Sequence, residues 1–172
     1  VSSDPEALSS LSVIIPALNE APSIGKVIDA IPQWVDEILV IDNGSRDRTG
    51  EIARKHGARV IREPNPGYGT ACLTGIANLS YPNIVVFLDA DFSDYPDQMD
   101  ALVDPIIDDR CDMLIGSRIL GEREPGALTP QQHFGNSLAC FLIRLIWKQR
   151  FTDLGPFRAI RYSTLLELEM AD

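Results

Sequence analysis

The sequence predicts an α/β protein with one open, mostly parallel sheet that is covered by helices on both faces. Short β-branched runs alternate with segments of helical spacing along the chain, and such alternation indicates βαβ units with parallel strands. The strand predicted over Asn83–Asp89 is almost entirely apolar, as expected for a central strand covered on both sides. No linker divides the 172 residues, which suffice to bury a substantial core, so we predict a single domain.

The first half of the chain supplies three strands, each followed by a helix. The predicted strands are the β-branched runs Ser12–Pro16, Glu37–Asp42 and Ala58–Glu63. The predicted helices are Pro22–Ile31, Asp47–His56 and Tyr68–Leu79. The first helix carries its isoleucines and its valine on one face, and Gly57 is expected to cap the second helix at its C-terminus.

The second half continues the same order of elements. The apolar strand Asn83–Asp89 precedes a helix over Pro96–Ile107, in which the proline suits the first turn. A fifth strand is predicted over Asp112–Ser117, a long helix over Pro130–Gln149 and a last strand over Pro156–Arg161. The polar residues 1–11 are expected to form a flexible arm, which leaves 12–172 as the domain.

Composition excludes some classes of protein and places the chain in a compartment. The net charge of -10 argues against nucleic-acid binding, which needs a basic surface. Cys72, Cys111 and Cys140 are widely spaced, as expected for reduced structural thiols of a cytoplasmic protein. The apolar segment Ser137–Trp147 is too short to span a bilayer. It reads as a core-facing helix, with a helix lying on the inner membrane face as the alternative.

Two carboxylates directly follow the most apolar strand. Asp89 and Asp91 stand two residues apart, so on an extended backbone both point to the same side. Two such charges about 4 Å apart repel by roughly 4 kcal/mol at an effective dielectric of about 20. A divalent cation reverses the sign of that energy, and all-oxygen ligands favour Mg²⁺ or Mn²⁺. The alternative reading, helix capping, suits Asp94 and Asp97 but not this pair.

The other chemically notable stretches also follow predicted strands, where ligands bind in open α/β sheets. Asp42 ends the second strand, where its carboxylate can accept hydrogen bonds from a nucleobase or a ribose. Gly67 and Gly69 open a helix, and glycines there allow close approach of an anion, although a plain turn needs no ligand. Arg118 follows the fifth strand as a candidate phosphate clamp. These stretches therefore converge at the carboxyl ends of the predicted strands, and this convergence indicates a ligand-binding site there.

Taken together, stretches between residues 12 and 162 resemble the family-2 glycosyltransferases with the GT-A fold, a Rossmann-like open sheet. The stretches that carry the resemblance are VIIPALNE, VIDNGSRDRT, NPGYGTA, DADFSDYP and DLGPFRAIR. The greatest similarity is to the branch of dolichol-phosphate mannosyltransferase and related polyprenyl-phosphate glycosyltransferases. We therefore expect this fold and an enzyme.

The resemblance implies a metal-dependent, inverting transfer of a hexose from a UDP- or GDP-sugar to an acceptor, of which a polyprenyl or dolichyl phosphate is one. Mg²⁺ or Mn²⁺ would bridge the donor diphosphate at Asp89 and Asp91. The positions that correspond to the donor-binding motifs of the family are Pro16, Leu18, Glu20, Asp42, Gly67, Gly69, Asp89, Ala90, Asp91 and Arg118.

The acceptor decides which side chains act in catalysis. An alcohol needs a general base, for which Asp153 is the candidate. A phosphate acceptor is already ionised and needs cations instead, which Arg158 or Arg161 would supply, although a surface ion-pair network explains these arginines nearly as well. Arg118 would assist the leaving diphosphate.

This chain departs from the family pattern at two positions and in length. Asn43 replaces the second Asp of the family's Asp-Asp-Gly-Ser motif, and Ser93 stands where relatives often have Gln, so a metal ligand there is either absent or supplied by Asp94. The chain stops at Asp172, where the family usually continues, so we expect a truncated C-terminal part.

Other functions and assemblies stay open at this stage. A nucleotide-sugar-binding module without catalysis is one alternative. A sugar-nucleotidyltransferase is another, although the Gly-rich basic loop that it needs after the first strand is missing. An aspartyl phosphatase would carry its Asp-x-Asp after an early strand. The sequence does not choose between uracil and guanine or name the sugar, and a homo-oligomer is among the possible assemblies.

Overall fold

The structure, a computed structural model, describes residues 10–116 and 155–170. Its strands are β1 Leu11–Ala17, β2 Glu37–Asp42, β3 Arg59–Arg62, β4 Ile84–Phe87, β5 Met113–Ile115 and β6 Arg158–Arg161. Its α-helices are α1 Ile24–Ala30, α2 Thr49–Lys55, α3 Tyr68–Ala77, α4 Asp100–Ile107 and α5 Tyr162–Glu167. The strands form one sheet in the order β3-β2-β1-β4-β6-β5, which confirms the predicted α/β class.

Each face of the sheet buries a separate apolar layer. Alternate residues of β1 point to opposite faces, so Val13 and Ile15 pack with α1, α2 and α4, whereas Ile14 packs with α3 and α5. All three of these side chains are fully buried. Helices therefore cover both faces, as the nearly continuous apolar strands predict.

One strand of the sheet, β6, runs in the opposite direction to the other five described strands. β1 is parallel to β2 and β4, and β2 is parallel to β3. β6 lies antiparallel to β4 and to β5. The carboxyl ends of β1 to β4 therefore share one edge of the sheet with the beginning of β6, called the carboxyl edge below.

Several predicted boundaries shift in the structure. β1 begins at Leu11, one residue before its predicted start. The predicted helix Pro96–Ile107 divides into a short 3-10 turn over Pro96–Gln98 and helix α4. Gly57 follows α2 with a positive φ of 92°, consistent with its predicted role as a cap. The predicted helix Pro130–Gln149, with the segment Ser137–Trp147, lies outside the described residues.

Candidate functional site

The carboxyl edge brings together stretches that are far apart in the sequence. Ala17 and Asp42 are register partners at the ends of β1 and β2, and the paired ladder of β4 ends at Phe87, two residues before Asp89. Because these strands are parallel, the loops that follow them leave the sheet side by side. The first predicted donor-site residue, Pro16, is buried within β1 itself, and the exposed Leu18 lies just beyond the strand.

The loops after β1 and β2 are held together by reciprocal hydrogen bonds. The backbone N–H of Asn19 donates to the Ser45 hydroxyl at 3.0 Å, and the Arg46 N–H donates to the Asn19 side-chain oxygen at 2.8 Å. The Glu20 N–H donates to the Thr49 hydroxyl at 2.8 Å. These contacts fix where Leu18 and Glu20 lie relative to the end of β2.

The side chain of Asp47 accepts hydrogen bonds from both of these loops. The Thr49 hydroxyl donates to its carboxylate at 2.5 Å and the Ala21 N–H at 3.2 Å. The hydrogen bond from the Thr49 hydroxyl, supported by backbone N–H groups, lowers the pKa of Asp47. The carboxylate is therefore ionised at neutral pH and ties the two loops together.

Asp42 stands at the tip of β2 with a close backbone neighbour. One carboxylate oxygen accepts the Ser45 N–H at 2.8 Å. A Cβ added at Gly50 would lie 3.0 Å from the other oxygen, Oδ2. The glycine at the start of α2 therefore leaves room for this half-buried acid.

The turn after β3 carries the predicted glycines. Gly67 precedes α3 with a φ of 147°, a conformation that favours glycine. Its N–H donates to the side-chain oxygen of Asn43 at 2.9 Å. The Glu63 carboxylate accepts the Asn65 N–H at 2.7 Å and the Thr74 hydroxyl at 2.6 Å. The turn is thus tied both to β2 and to α3.

Glu63 makes the fold sensitive to acid. The hydroxyl of Thr74 and the N–H of Asn65 lower its pKa, so its contribution to stability is complete above its ordinary pKa and is lost as the pH falls through the lowered value. We expect Glu63→Gln to lower the melting temperature most at about pH 7 and progressively less below about pH 4.

Thermal unfolding followed by circular dichroism across that range measures this difference. Glu167→Gln, at an exposed position of α5, is the control and should show no such convergence. A Glu63→Gln deficit that stays constant down to about pH 3 would contradict the role of the ionised carboxylate.

Asp89, Ala90 and Asp91 continue from the end of β4. Asp89 is half-buried, Ala90 is buried and Asp91 is exposed. The hydroxyl of Tyr68 donates to an Asp89 oxygen at 3.3 Å. Burial and the negative charge of Asp89 raise the pKa of this hydroxyl well above its usual value, so it stays protonated and remains a donor. Asp91 accepts the Ser93 N–H at 2.9 Å, which shapes the following turn.

The carboxylates of Asp89 and Asp91 at this strand end are oxygen ligands of the kind that divalent cations bind. Within residues 10–116 and 155–170, no group of three or more His, Cys, Asp or Glu side chains could hold a metal by itself. Two carboxylates nevertheless suit Mg²⁺ or Mn²⁺, since such ions are commonly held by one or two carboxylates together with substrate phosphates and water. Asp89 and Asp91 therefore fit a metal that binds together with a diphosphate.

Arg158 is the cation that β6 brings to the carboxyl edge. It is the register partner of Phe87, and its guanidinium lies 5.5 Å from the centre of that ring. In the described part of the chain its buried Nε has no hydrogen-bond partner. A cavity of about 420 Å³ adjoins it, lined by Tyr68 and by mostly apolar side chains that include Leu73, Ile160 and Leu165.

Of the two arginines that could supply a cation to a phosphate acceptor, Arg161 lies away from the carboxyl edge. Because β6 is antiparallel to β4, Arg161 pairs with Ile84 at the opposite end of that strand. There its guanidinium binds Asp109 at 2.6 Å and Asp112 at 3.1 Å. The ion-pair alternative therefore holds for Arg161, and two other predicted site residues, Arg118 and Asp153, lie outside the described residues.

Sequence reasoning missed the roles of three residues at this edge. For Tyr68 the sequence predicted only the first residue of a helix. For Asn43 it showed only that an asparagine replaces the aspartate of the family motif. Glu63, a buried acid, was not singled out at all. The sequence offered a signal for Asn43: its amide donates hydrogen bonds as well as accepting them, whereas the carboxylate that it replaces only accepts.

The chain matches the model of the family described as Glycosyl transferase family 2 over residues 12–167. The chain belongs to glycosyl transferase family 2. An uncharacterized glycosyltransferase of Mycobacterium bovis is 34% identical over 164 residues, which cover 94% of this chain and 72% of the relative. The dolichyl-phosphate hexose transferase of Haloferax volcanii is 38% identical over 112 residues, covering 63% and 48%.

Solved structures of glycosyltransferases share this fold. Glucosyl-3-phosphoglycerate synthase of Mycobacterium tuberculosis, in complex with Mn²⁺, UDP-glucose and phosphoglyceric acid, superposes with a TM-score of 0.72 at 28% identity. The match covers 91% of this chain and 58% of that structure. The fold is thus GT-A, as the resemblance implied, and the chain spans little more than half of that enzyme. Among the described residues, no helix is long and apolar enough to cross a membrane.

Proposed function

We propose that the chain carries the donor site of an inverting family-2 glycosyltransferase that moves a hexose from a UDP-sugar to a polyprenyl or dolichyl phosphate. One observation carries the proposal: Asp42, the Gly67 turn and Asp89 meet at the carboxyl edge, joined through Asn43 and Tyr68. UDP-glucose and Mn²⁺ in the mycobacterial synthase support the donor, and the archaeal dolichyl-phosphate hexose transferase supports the acceptor.

The location of each residue supports the donor-binding role that we propose for it. Asp42 accepts hydrogen bonds from the base or ribose, next to Leu18 and Glu20 on the neighbouring loop. The glycines at 67 and 69 let the backbone approach the diphosphate. Asp89 and Asp91, with Ala90 between them, would hold Mn²⁺ or Mg²⁺, which neutralises the charge that develops on the departing diphosphate.

The transfer itself is a single displacement. An oxygen of the acceptor phosphate forms a bond to the anomeric carbon while the bond from that carbon to the diphosphate oxygen breaks, and UDP leaves with the electron pair. A phosphate acceptor is already ionised, so no general base is required. Arg158 would hold the acceptor phosphate, with the apolar cavity beside it suited to the lipid. Arg118 would assist the diphosphate, and Asp153 would become the base if the acceptor were an alcohol.

A transfer assay tests the function. Protein, Mn²⁺ and radiolabelled UDP-glucose would be incubated with either a short polyprenyl phosphate or phosphoglyceric acid, and the products separated by extraction into organic solvent. Label in the organic phase supports the lipid acceptor. Label on phosphoglyceric acid would instead show that this chain uses a soluble acceptor like the one bound in the mycobacterial synthase. Metal-dependent UDP-glucose binding with no transfer to any acceptor would instead support a binding module without catalysis.

Arg158→Lys is expected to lower kcat/KM for the acceptor by about 10- to 100-fold, because an ammonium cannot reproduce the planar fork of a guanidinium on a phosphate. Initial rates at varied acceptor concentration measure this change. Arg161→Lys is the matched control, since it lies on the same strand at the opposite edge. Equal kcat/KM values for the two variants would remove Arg158 from the acceptor site.

A further inference from the structure

Asn43 occupies the position where the family motif has an aspartate, and all of its side-chain polar atoms are used. It is buried, with 8% of its surface exposed. Its amide nitrogen donates to the Asn65 carbonyl at 2.6 Å and to the Glu63 carbonyl at 3.2 Å. Its oxygen accepts the Gly67 N–H at 2.9 Å. Only an amide meets two carbonyls and one N–H in this way.

These bonds connect the two halves of the proposed donor site. Asn43 directly follows Asp42, on the base side, and holds the turn that ends at Gly67. The next residue, Tyr68, reaches Asp89 on the metal side. A shift of the turn would therefore move the glycine backbone and the Tyr68 hydroxyl together.

We propose that Asn43 is a positioning residue for nucleotide binding, and that in this chain the aspartate of the family motif cannot replace it. This inference rests on the proposed donor site. An aspartate would keep an acceptor for the Gly67 N–H but would lose both donors and place a negative charge against two carbonyl oxygens. The turn would then move away from β2 and carry Gly67 and Tyr68 out of position.

The experiment compares Asn43→Asp with Asn78→Asp. The side-chain amide of Asn78 also donates to a backbone carbonyl, that of Thr74, at 2.8 Å. Asn78 lies at the C-terminal end of α3, whereas the Gly67 turn lies at the start of that helix. Calorimetry of UDP with Mn²⁺ should show an affinity about 10- to 100-fold lower for Asn43→Asp, since about 1.4 kcal/mol corresponds to tenfold. Asn78→Asp should bind like the wild type. Hydrogen exchange without ligand should accelerate for residues 63–71 in Asn43→Asp only.

The outcomes separate this inference from the proposed function. Wild-type protein that does not bind UDP would overturn the donor site itself, whereas the exchange difference would still report the anchoring of the turn. Wild-type binding with an unchanged Asn43→Asp affinity would overturn the positioning role, even if that variant melts at a lower temperature. If Asn43→Asp does not fold, Asn43→Ser introduces no buried charge and should still lose several-fold affinity, and unchanged binding by it would overturn the role equally.

Discussion

Asp91→Asn is expected to lower the affinity for UDP measured with Mn²⁺ by about 100-fold, while the affinity without metal stays equal or rises. In the proposed site Asp91 is a direct metal ligand, and its loss should lower the affinity at least as much as the 10- to 100-fold typical of outer-shell partners. Without metal, removing one negative charge reduces repulsion both with Asp89 and with the diphosphate. The opposite signs in the two conditions distinguish a metal site from a general loss of binding.

Asparagine is the informative substitution because it preserves the local turn. Asp91 accepts the Ser93 N–H, and the amide oxygen of asparagine can do the same. Calorimetry of UDP with and without Mn²⁺ measures the effect, and a titration with Mn²⁺ followed by electron paramagnetic resonance gives a readout without turnover. Asp97→Asn, at an exposed acid in the next turn, is the control. If Mn²⁺ raised the UDP affinity of Asp91→Asn as much as that of the wild type, Asp91 would not be a metal ligand.

Gly75→Ala is expected to destabilise the fold by about 1–3 kcal/mol, although alanine ordinarily favours a helix over glycine. Gly75 lies in α3 where that helix crosses β1. An added Cβ would lie 2.6 Å from Cγ2 and 3.1 Å from Cδ1 of Ile14, a fully buried residue. The close approach of α3 to the sheet therefore requires a residue without a side chain at this position.

A double-mutant cycle tests that contact. Ile14→Ala alone should cost about 2–5 kcal/mol, because it leaves a cavity in the central strand. The combination with Gly75→Ala should cost less than the sum of the single changes by about 1 kcal/mol, since the new methyl group occupies part of that cavity. Chemical denaturation measures all three variants. A stabilising Gly75→Ala, or strict additivity, would contradict the packing described here.

The two tests probe different levels of the molecule. In the proposed site, Asp89 and Asp91 would repel each other until a cation and a diphosphate bind. The close packing of Gly75 on Ile14, in contrast, places α3, which begins at Tyr68, against the sheet. We therefore expect donor binding to depend on packing as well as on the chemistry of the proposed site. A variant that loosens α3 should lower nucleotide affinity even when every side chain of the site is retained.

The sequence by itself determined the class of fold and indicated where the proposed site lies. Apolar runs such as Asn83–Asp89 reveal strands because burial on both faces demands apolar side chains at successive positions. Neighbouring carboxylates at the end of such a run repel each other unless a cation is bound. Asp89 and Asp91 could therefore be identified as candidate metal ligands from their place after a strand. These inferences use neighbours in the chain and the general geometry of parallel sheets.

Only the tertiary structure decided which distant residues meet. Arg158 and Arg161 look equivalent in the sequence, yet the antiparallel direction of β6 places one at the carboxyl edge and the other in an ion pair at the opposite edge. Asn43 meets Gly67, 24 positions away, and Gly75 touches Ile14 across two layers. Such contacts depend on the path of the chain between them, and residue type and local spacing do not encode that path.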